Sequence, residues 1–388
     1  MKWILSIPSK LIEMKYIPKL LLYVLILLVA SCHKDDPQPG NEFNSLEEEI
    51  NFIADKYVKV GAMVGVINKQ QEKLIFSYGT KSINESDQPD ANTAFDIGSI
   101  TKTFTAILAA DKYINGNFQD DIVEHYLPAG LVTMPTKDGV EISFLHLLTH
   151  TSGMPRSPHM EGSIYPLPPG YDIENPYAAY TTEQVYDYLT NYSSLEFTPG
   201  TWWGYSNTGM GLVGHVLGLV DGTSYQTVLH RDVFDVLEMN NSSLFLTNEQ
   251  LLNQALGHDR DKKIVPFFTA NDIFQGAGMI KSTLNDMFKY LEANMGLTNT
   301  LLRDAMDLTH QKAMHQGSLG DQGMGWWILD LDDGQKIVYF AGDTNGHSAY
   351  IAFNKTESMG VIILLNSSMH DNTNLNMGPE IMKAIMKY

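Results

Sequence analysis

The chain has 388 residues, of which 44% are hydrophobic and 18% are charged, and its formal net charge is −19. This length and composition are typical of a globular protein with one large domain or two closely joined ones. So acidic a surface repels phosphate backbones, and the sequence contains no glycine-rich phosphate-binding loop, which argues against a nucleic-acid partner. A single cysteine, Cys32, excludes a disulfide within the chain.

The amino terminus has the pattern of an export signal. Lys15 and Lys19 precede an apolar run at residues 20–30, which is long enough for the core of a signal peptide and short for a membrane span. The run ends in the tetrapeptide VASC, which resembles a bacterial lipobox, where the signal is cut before a cysteine that becomes lipidated. We therefore predict a lipoprotein signal peptide over residues 1–31 and a lipid anchor on Cys32. A plain signal peptide or an anchor helix is the alternative.

Residues 32–44 are polar and contain prolines, which predicts a flexible tether. The lysine and two aspartates shortly after Cys32 also resemble the surface-export signal of some bacterial lipoproteins. We expect an outer-membrane lipoprotein that is displayed on the cell surface, with its folded domain at residues 45–388 outside the cytoplasm.

Patterns of apolar residues place strands at both ends of this domain. A capping box at Ser45 begins an amphipathic helix over about 45–59, and a last helix is predicted at about 379–388. Strands are predicted at 62–67, 73–79, 324–331, 335–340, 348–353 and 360–365.

The middle of the chain favours helices and long loops. We therefore predict an α+β fold, in which both chain ends, about 45–98 and 322–388, build an antiparallel sheet with flanking helices. The residues between them, about 99–321, form a mainly helical inserted part.

Ser99 and Lys102 carry the clearest chemical signal. Three residues apart, they share one face of a helix, where a neutral lysine amine can take the proton from the serine hydroxyl and make it an acylating nucleophile. Ser-x-x-Lys is also a signature of class A β-lactamases and penicillin-binding proteins. Taken alone, however, the motif favours a helix start with a solvated lysine.

A serine–lysine pair needs a further group that carries the proton to the leaving group. Tyr205 is suited to this role, and Asn207, two residues later, can project to the same side; an ordinary turn is the alternative. His146 and His150 have a spacing that can bind a metal, but no glutamate follows His146 and the segment TSGMP breaks a helix. We expect no metal ion here.

Several motifs in order resemble the serine β-lactamase-related family, which includes class C β-lactamases, DD-peptidases of that type and family VIII esterases. They are FDIGS with Lys102, HLLTHTSGMP at 146–155, PGTWWGYSN at 199–207, the helix at 209–222 and GAGM with ST at 276–283. The resemblance spans about 45–388.

It implies a β-lactamase/transpeptidase-like fold and an acyl-enzyme mechanism without a cofactor. By this resemblance Ser99 is the nucleophile, Lys102 the base, Tyr205 the proton carrier and Asn207 a substrate-binding residue.

The chain departs from the family at its Lys-Thr-Gly or His-x-Gly motif, which falls at Phe340-Ala341-Gly342. Gly342 still permits close approach of a substrate backbone, but the cation that holds a penicillin-like carboxylate and tunes the tyrosine is missing. The resemblance implies an oxyanion hole from the backbone N–H groups of Ser99 and Asp343. Arg156 is the nearest arginine in sequence that could replace the cation, and the side chains of Asp343 and His347 are either ligand contacts or solvated turn residues.

We therefore predict a lipid-anchored serine hydrolase for a small ester, amide or peptide, with esterase activity favoured and with Gly342 and Asp343 among the substrate-binding residues. The alternatives are a β-lactamase or D-Ala-D-Ala-type carboxypeptidase that acts on peptidoglycan peptides, and a catalytically idle binding lipoprotein.

Overall fold

The computed structural model of the chain describes residues 43–159, 163–315, 320–368 and 373–388. The predicted signal peptide, the predicted lipidation site at Cys32 and nearly all of the predicted tether lie outside these residues.

Twelve strands are present in the described residues. They are β1 Gly61–Ile67, β2 Lys73–Gly79, β3 Phe95–Asp96, β4 Gly257–His258, β5 Ile264–Val265, β6 Lys281–Ser282, β7 Met314–His315, β8 Asp321–Gln322, β9 Trp327–Asp330, β10 Lys336–Asp343, β11 Ser348–Asn354 and β12 Met359–Leu365. Eight of them form one sheet in the order β2-β1-β12-β11-β10-β9-β8-β7, and every pair in it is antiparallel. The central pairing of β1 with β12 joins the two chain ends, as the sequence predicted.

Helices cover both faces of this sheet and fill the inserted part. They are α1 Leu46–Tyr57, α2 Thr101–Ile114, α3 Phe144–Leu148, α4 Thr182–Asp187, α5 Asn207–Asp221, α6 Tyr225–Leu229, α7 Asn248–Leu251, α8 Gln275–Gly278, α9 Leu284–Met295, α10 Arg303–Thr309 and α11 Thr373–Lys387. Within the described ranges, no helix combines the length and the apolar character that crossing a bilayer requires.

Two apolar cores hold these layers together. Every residue of β1 is buried, because its side chains alternate between the two cores. Met63 and Ile67 lie in the larger core with α2, α5 and α9, whereas Val64 and Val66 lie in the smaller core with α1 and α11. A strand covered on both faces is therefore apolar throughout, which explains why this segment shows no polar alternation.

The last helix begins earlier than predicted. The sequence predicted a start at about Pro379, but α11 begins at Thr373 and contains Pro379. Met377 and Ile381, one turn apart, are both buried in the smaller core. Their packing outweighs the backbone hydrogen bond that the proline removes.

The carboxyl-terminal part of the sheet also differs from the prediction. The strand expected at 324–331 is shorter, Trp327–Asp330, and β7 and β8 extend the sheet to Met314, before the predicted boundary at residue 322. These two strands have two residues each, which is too short for a periodic pattern in the sequence.

Candidate active site

Ser99 lies in a short 3-10 turn, Gly98–Ile100, that leads directly into α2. The backbone of Gly98 has φ +50°, and a Cβ at this position would lie 2.7 Å from the amide nitrogen of Asp343. Only glycine fits this approach, which brings the end of β10 against the turn that carries Ser99.

The side chains of Lys102 and Tyr205 both reach the Ser99 hydroxyl. Lys102 Nζ lies 3.0 Å from Ser99 Oγ, and the Tyr205 hydroxyl donates to the same oxygen at 2.8 Å. Three residues predicted from the sequence to act together are therefore within hydrogen-bond distance. The arrangement can move a proton from the serine to the amine and onward to the tyrosine.

Lys102 is fully buried, and its amine also donates to the Ala277 carbonyl at 2.5 Å. Burial holds the pKa of Lys102 well below its usual range, and the positive charge of Arg156 lowers it further. Burial therefore favours the neutral amine, which is the form that can accept the proton of Ser99.

Tyr205 precedes α5 and has charged and aromatic neighbours. The His150 ring lies 4.4 Å from the Tyr205 ring, and Lys102 Nζ and Arg156 Cζ each lie 4.9 Å from its centre. Burial raises the pKa of Tyr205 to about 12, although Arg156 and the hydrogen bond to Ser99 act in the opposite direction. Tyr205 therefore keeps its proton at neutral pH.

Asn207 is the first residue of α5, after the helix cap at Ser206. Its side-chain amide donates to the hydroxyl of Tyr177 at 2.7 Å. Tyr177 was not found from the sequence: it lies in the Tyr- and Pro-rich loop at 155–180, where no motif distinguishes it from its neighbours. The contact joins this loop to the start of α5.

The backbone of Gly342 passes close to the nucleophile. A Cβ at Gly342 would lie 2.0 Å from the Ile97 carbonyl oxygen and 2.8 Å from the amide nitrogen of Ser99. The residues expected to form the oxyanion hole, Ser99 and Asp343, thus belong to backbone segments in direct contact. The Asp343 carboxylate is exposed and accepts a hydrogen bond from Ser348 Oγ at 2.6 Å.

Phe340 occupies the position of the absent cation, and its ring is buried in the larger core with only 3% exposed. It supplies neither a charge nor a hydrogen-bond donor to the site.

Both alternatives considered for His347 are wrong. The side chain is only 1% exposed, so it is neither a solvated turn residue nor an open ligand contact. Its Nε2 lies 3.0 Å from the Ala255 carbonyl, and its ring stacks on Phe267. Its Nδ1 lies 3.4 Å from the buried carboxylate of Asp96, which also lies 3.6 Å from Lys281 Nζ. Aromatic stacking and the buried carboxylate stabilise the inward position of the ring.

Asp96 connects three segments around the site. Its Oδ2 accepts hydrogen bonds from the backbone of Phe268 at 3.0 Å and from Thr344 Oγ1 at 3.3 Å. Burial favours the neutral acid, but Lys281 and His347 prevail and hold the pKa of Asp96 below its usual value. The carboxylate therefore ties the residue after Asp343 to the strand that leads into the nucleophile turn.

The two histidines considered as metal ligands have structural partners instead. His146 Nδ1 accepts from the Ser143 backbone at 3.2 Å in a helix cap, and buried His150 Nδ1 accepts from the Ser206 backbone at 3.2 Å. In the part of the chain that the structure describes, no three His, Cys, Asp or Glu side chains lie close enough together to hold a metal ion.

Comparisons with known proteins agree with this geometry. The sequence profile of the Beta-lactamase family matches residues 45–378. A β-lactamase from Lysobacter lactamgenus is 24% identical over 388 residues, which cover 90% of this chain and 94% of that protein.

Two solved structures have the same fold. A class C β-lactamase superimposes with a TM-score of 0.73 at 24% identity, covering 87% of this chain and 96% of that one. A β-lactamase/D-alanine carboxypeptidase from Pseudomonas syringae gives 0.72 at 22% identity, with 87% and 97% covered. The predicted β-lactamase/transpeptidase-like fold is thereby confirmed.

Proposed function

The chain belongs to the β-lactamase family of serine hydrolases, and from that premise we propose that it hydrolyses an ester or amide whose reacting end carries no free carboxylate, with esters favoured. One combination of features supports this proposal. Lys102 and Tyr205 both form hydrogen bonds with Ser99, whereas the apolar Phe340 stands where the family has a cation.

The first half of the reaction forms an acyl-enzyme. Ser99 Oγ attacks the substrate carbonyl while its proton passes to neutral Lys102, and the N–H groups of Ser99 and Asp343 stabilise the oxyanion. As the tetrahedral intermediate collapses, Tyr205 gives its proton to the leaving oxygen or nitrogen and regains one from Lys102. In the second half, water loses a proton to the Tyr205–Lys102 pair and attacks the acyl carbonyl. The new tetrahedral intermediate then expels Ser99 Oγ, which takes that proton back from the pair as the carboxylic acid is released.

Most of the charged side chains beside the end of β10 are acidic. Asp343 is exposed at the end of β10. A cavity of about 280 Å³ adjoins the β10–β11 turn, and its lining includes Asp172, Glu174, Phe267, Phe268, Lys263 and Asn345. Acids outnumber the single lysine there, and the phenyl rings favour an apolar substituent. Asn207 is proposed to orient the substrate carbonyl or amide.

A fluorophosphonate probe tests the nucleophile. The wild type is expected to be labelled, Ser99→Ala is not, and the exposed control Ser86→Ala is labelled like the wild type. Equal labelling of the Ser99 variant would remove this serine from the mechanism, and absence of labelling in the wild type would indicate a catalytically idle binding protein.

The substrate class needs a separate assay. We expect ester hydrolysis, measured with p-nitrophenyl acetate and ethyl butyrate, with little turnover of nitrocefin or of a peptide ending in D-Ala-D-Ala. The second candidate is a β-lactamase or carboxypeptidase, which the names of the similar proteins favour. Rapid turnover of nitrocefin or of the peptide would establish it and show that Phe340 does not prevent recognition of a carboxylate.

We also propose that Cys32 carries a lipid that holds the enzyme on the outer membrane, and that the domain is displayed at the cell surface. The lipobox-like end of the apolar run supports the anchor. Labelled palmitate should be incorporated into the wild type and not into Cys32→Ala, whose kcat/KM for a soluble ester should be unchanged. Protease treatment of intact cells tests the display, since a periplasmic domain would be protected.

A further inference from the structure

The guanidinium of Arg156 is a charged group beside the site that the mechanism above does not use. Its backbone carbonyl accepts hydrogen bonds from the N–H groups of Asn207 at 2.9 Å and Thr208 at 3.2 Å. These bonds fix Arg156 to the start of α5, directly after Tyr205. The backbone of Arg156 is therefore held next to the segment that carries Tyr205.

Arg156 also has no acidic partner among the described residues. Its Cζ lies 4.9 Å from the centre of the Tyr205 ring, and no Asp or Glu of the described chain forms an ion pair with it. By contrast, Arg231 forms ion pairs with Asp221 and Asp232. In so acidic a chain, an exposed arginine that forms no ion pair with the described carboxylates can direct its charge at the tyrosine.

We infer that Arg156 is a positioning residue for proton transfer: its guanidinium takes over the tuning role of the cation missing at Phe340 and acts on Tyr205 and Lys102 together. This inference rests on the proposed acyl-transfer function.

The groups that face Tyr205 support this assignment. They are Ser99, Lys102, His150, Arg156, Tyr177 and Asp343. Burial holds the pKa of Lys102 and the pKa of His150 well below their usual values and so favours the neutral form of both. Arg156 is exposed, so it is the cation of this set whose charge burial does not disfavour.

One positive charge has two useful effects here. It opposes the burial that raises the pKa of Tyr205, so the phenol is a better proton donor to the leaving group. It also lowers the pKa of Lys102, so the base stays neutral to a lower pH. Loss of the charge weakens the acid and the base at once.

Arg156→Gln, Arg156→Lys and the control Arg260→Gln test the inference. Arg260 is likewise exposed, and its charge is not among those that act on Tyr205. Two uncharged esters are compared: p-nitrophenyl acetate, whose leaving group departs without a proton, and ethyl butyrate, whose alkoxide needs one.

Arg156→Gln is expected to lower kcat/KM about tenfold for ethyl butyrate and about threefold or less for p-nitrophenyl acetate. The acidic limb of the pH profile should move up by about half a unit to one unit, because the pKa of Lys102 rises. Arg156→Lys keeps the charge, so its kcat/KM for ethyl butyrate and the position of its acidic limb should stay close to those of the wild type. Arg260→Gln should match the wild type in both.

If Arg156→Gln lowered kcat/KM equally for both esters and left the acidic limb of the pH profile in place, the role of Arg156 would be merely structural. That result would overturn the inference. So would a loss confined to KM for a carboxylate-bearing ester such as monoethyl succinate, because Arg156 would then bind substrate. If neither ester is turned over, the pH profile of fluorophosphonate labelling still reports the acidic limb. Hydrolysis that persists in Ser99→Ala contradicts the proposed function instead, so the two failures are distinguishable.

Discussion

Replacing Lys102 by methionine should abolish hydrolysis and at the same time stabilise the folded protein. The amine is fully buried, and burial holds the pKa of Lys102 far below 10.5, the value of a free lysine. Folding therefore removes a proton that the unfolded chain would keep at pH 7, and this removal costs free energy. Methionine fills a similar volume without that cost, so catalysis and stability are expected to change in opposite directions.

The size of the effect follows from the pKa difference. Keeping a lysine neutral at pH 7, when its pKa in the unfolded chain is 10.5, costs about 5 kcal/mol, at about 1.4 kcal/mol for each pH unit between these two values. Methionine also loses the hydrogen bonds to Ser99 and to the Ala277 carbonyl, each worth about 1 kcal/mol. A net gain of about 3 kcal/mol in the free energy of unfolding is expected at pH 7.

Urea unfolding followed by tryptophan fluorescence at pH 7 and pH 9 checks this reasoning. The folded-state pKa of Lys102 is depressed, so the unfolded chain binds one more proton, and wild-type stability rises by about 1.4 kcal/mol per pH unit relative to the variant. The advantage of methionine should fall to about zero near pH 9. The exposed control Lys383→Met should show no such trend. A difference for Lys102 that does not vary with pH would mean that the amine is charged in the folded protein, and the argument for a neutral base would be wrong.

Three other substitutions address the proton path, the oxyanion hole and the buried ion pair. Tyr205→Phe should lower kcat/KM for ethyl butyrate about 10²- to 10⁴-fold with unfolding unchanged; full activity would exclude it from proton transfer. Gly342→Ala should lower kcat/KM about 10²-fold, since its Cβ would lie 2.0 Å from the Ile97 carbonyl oxygen and must displace the strand; wild-type kinetics would show that this edge does not hold the oxyanion. Asp96→Asn should reduce the free energy of unfolding by about 3 kcal/mol, because Lys281 loses its buried carboxylate, and a change below 1 kcal/mol in urea unfolding would contradict that role.

The sheet could be predicted because its main strands carry their own signals. Val64 and Val66 belong to a continuous apolar run, and turn residues separate the strands at the other end. The contact between Ser99 and Lys102 could be predicted for a similar reason: they are three residues apart, so one helical turn brings them together. Such local relations are visible in a single sequence.

Contacts between distant segments could not be predicted in this way. His347 follows an Asn-Gly turn, where local pattern favours solvent, and its burial depends on Asp96 and Ala255, both far away in sequence. Tyr177 is one of many tyrosines in its loop, and only the fold selects it as the partner of Asn207. A local pattern cannot reveal a partner that the tertiary structure supplies.

The missing cation shows how the two kinds of information combine. The sequence has a phenylalanine where the family that it resembles has a basic residue. From the sequence alone, one cannot tell whether the site has no cation or whether another segment of the chain supplies one. In the structure Phe340 belongs to the strand that leads to Gly342, whereas Arg156 is hydrogen-bonded to the start of α5.

A cation on the strand can serve both the substrate and the tyrosine, since the strand borders the proposed oxyanion hole. A cation fixed to α5 stays with Tyr205, so proton transfer can keep its electrostatic support while the substrate edge becomes apolar. On the proposed role of Arg156, acid–base chemistry and recognition of a carboxylate are separable in this fold.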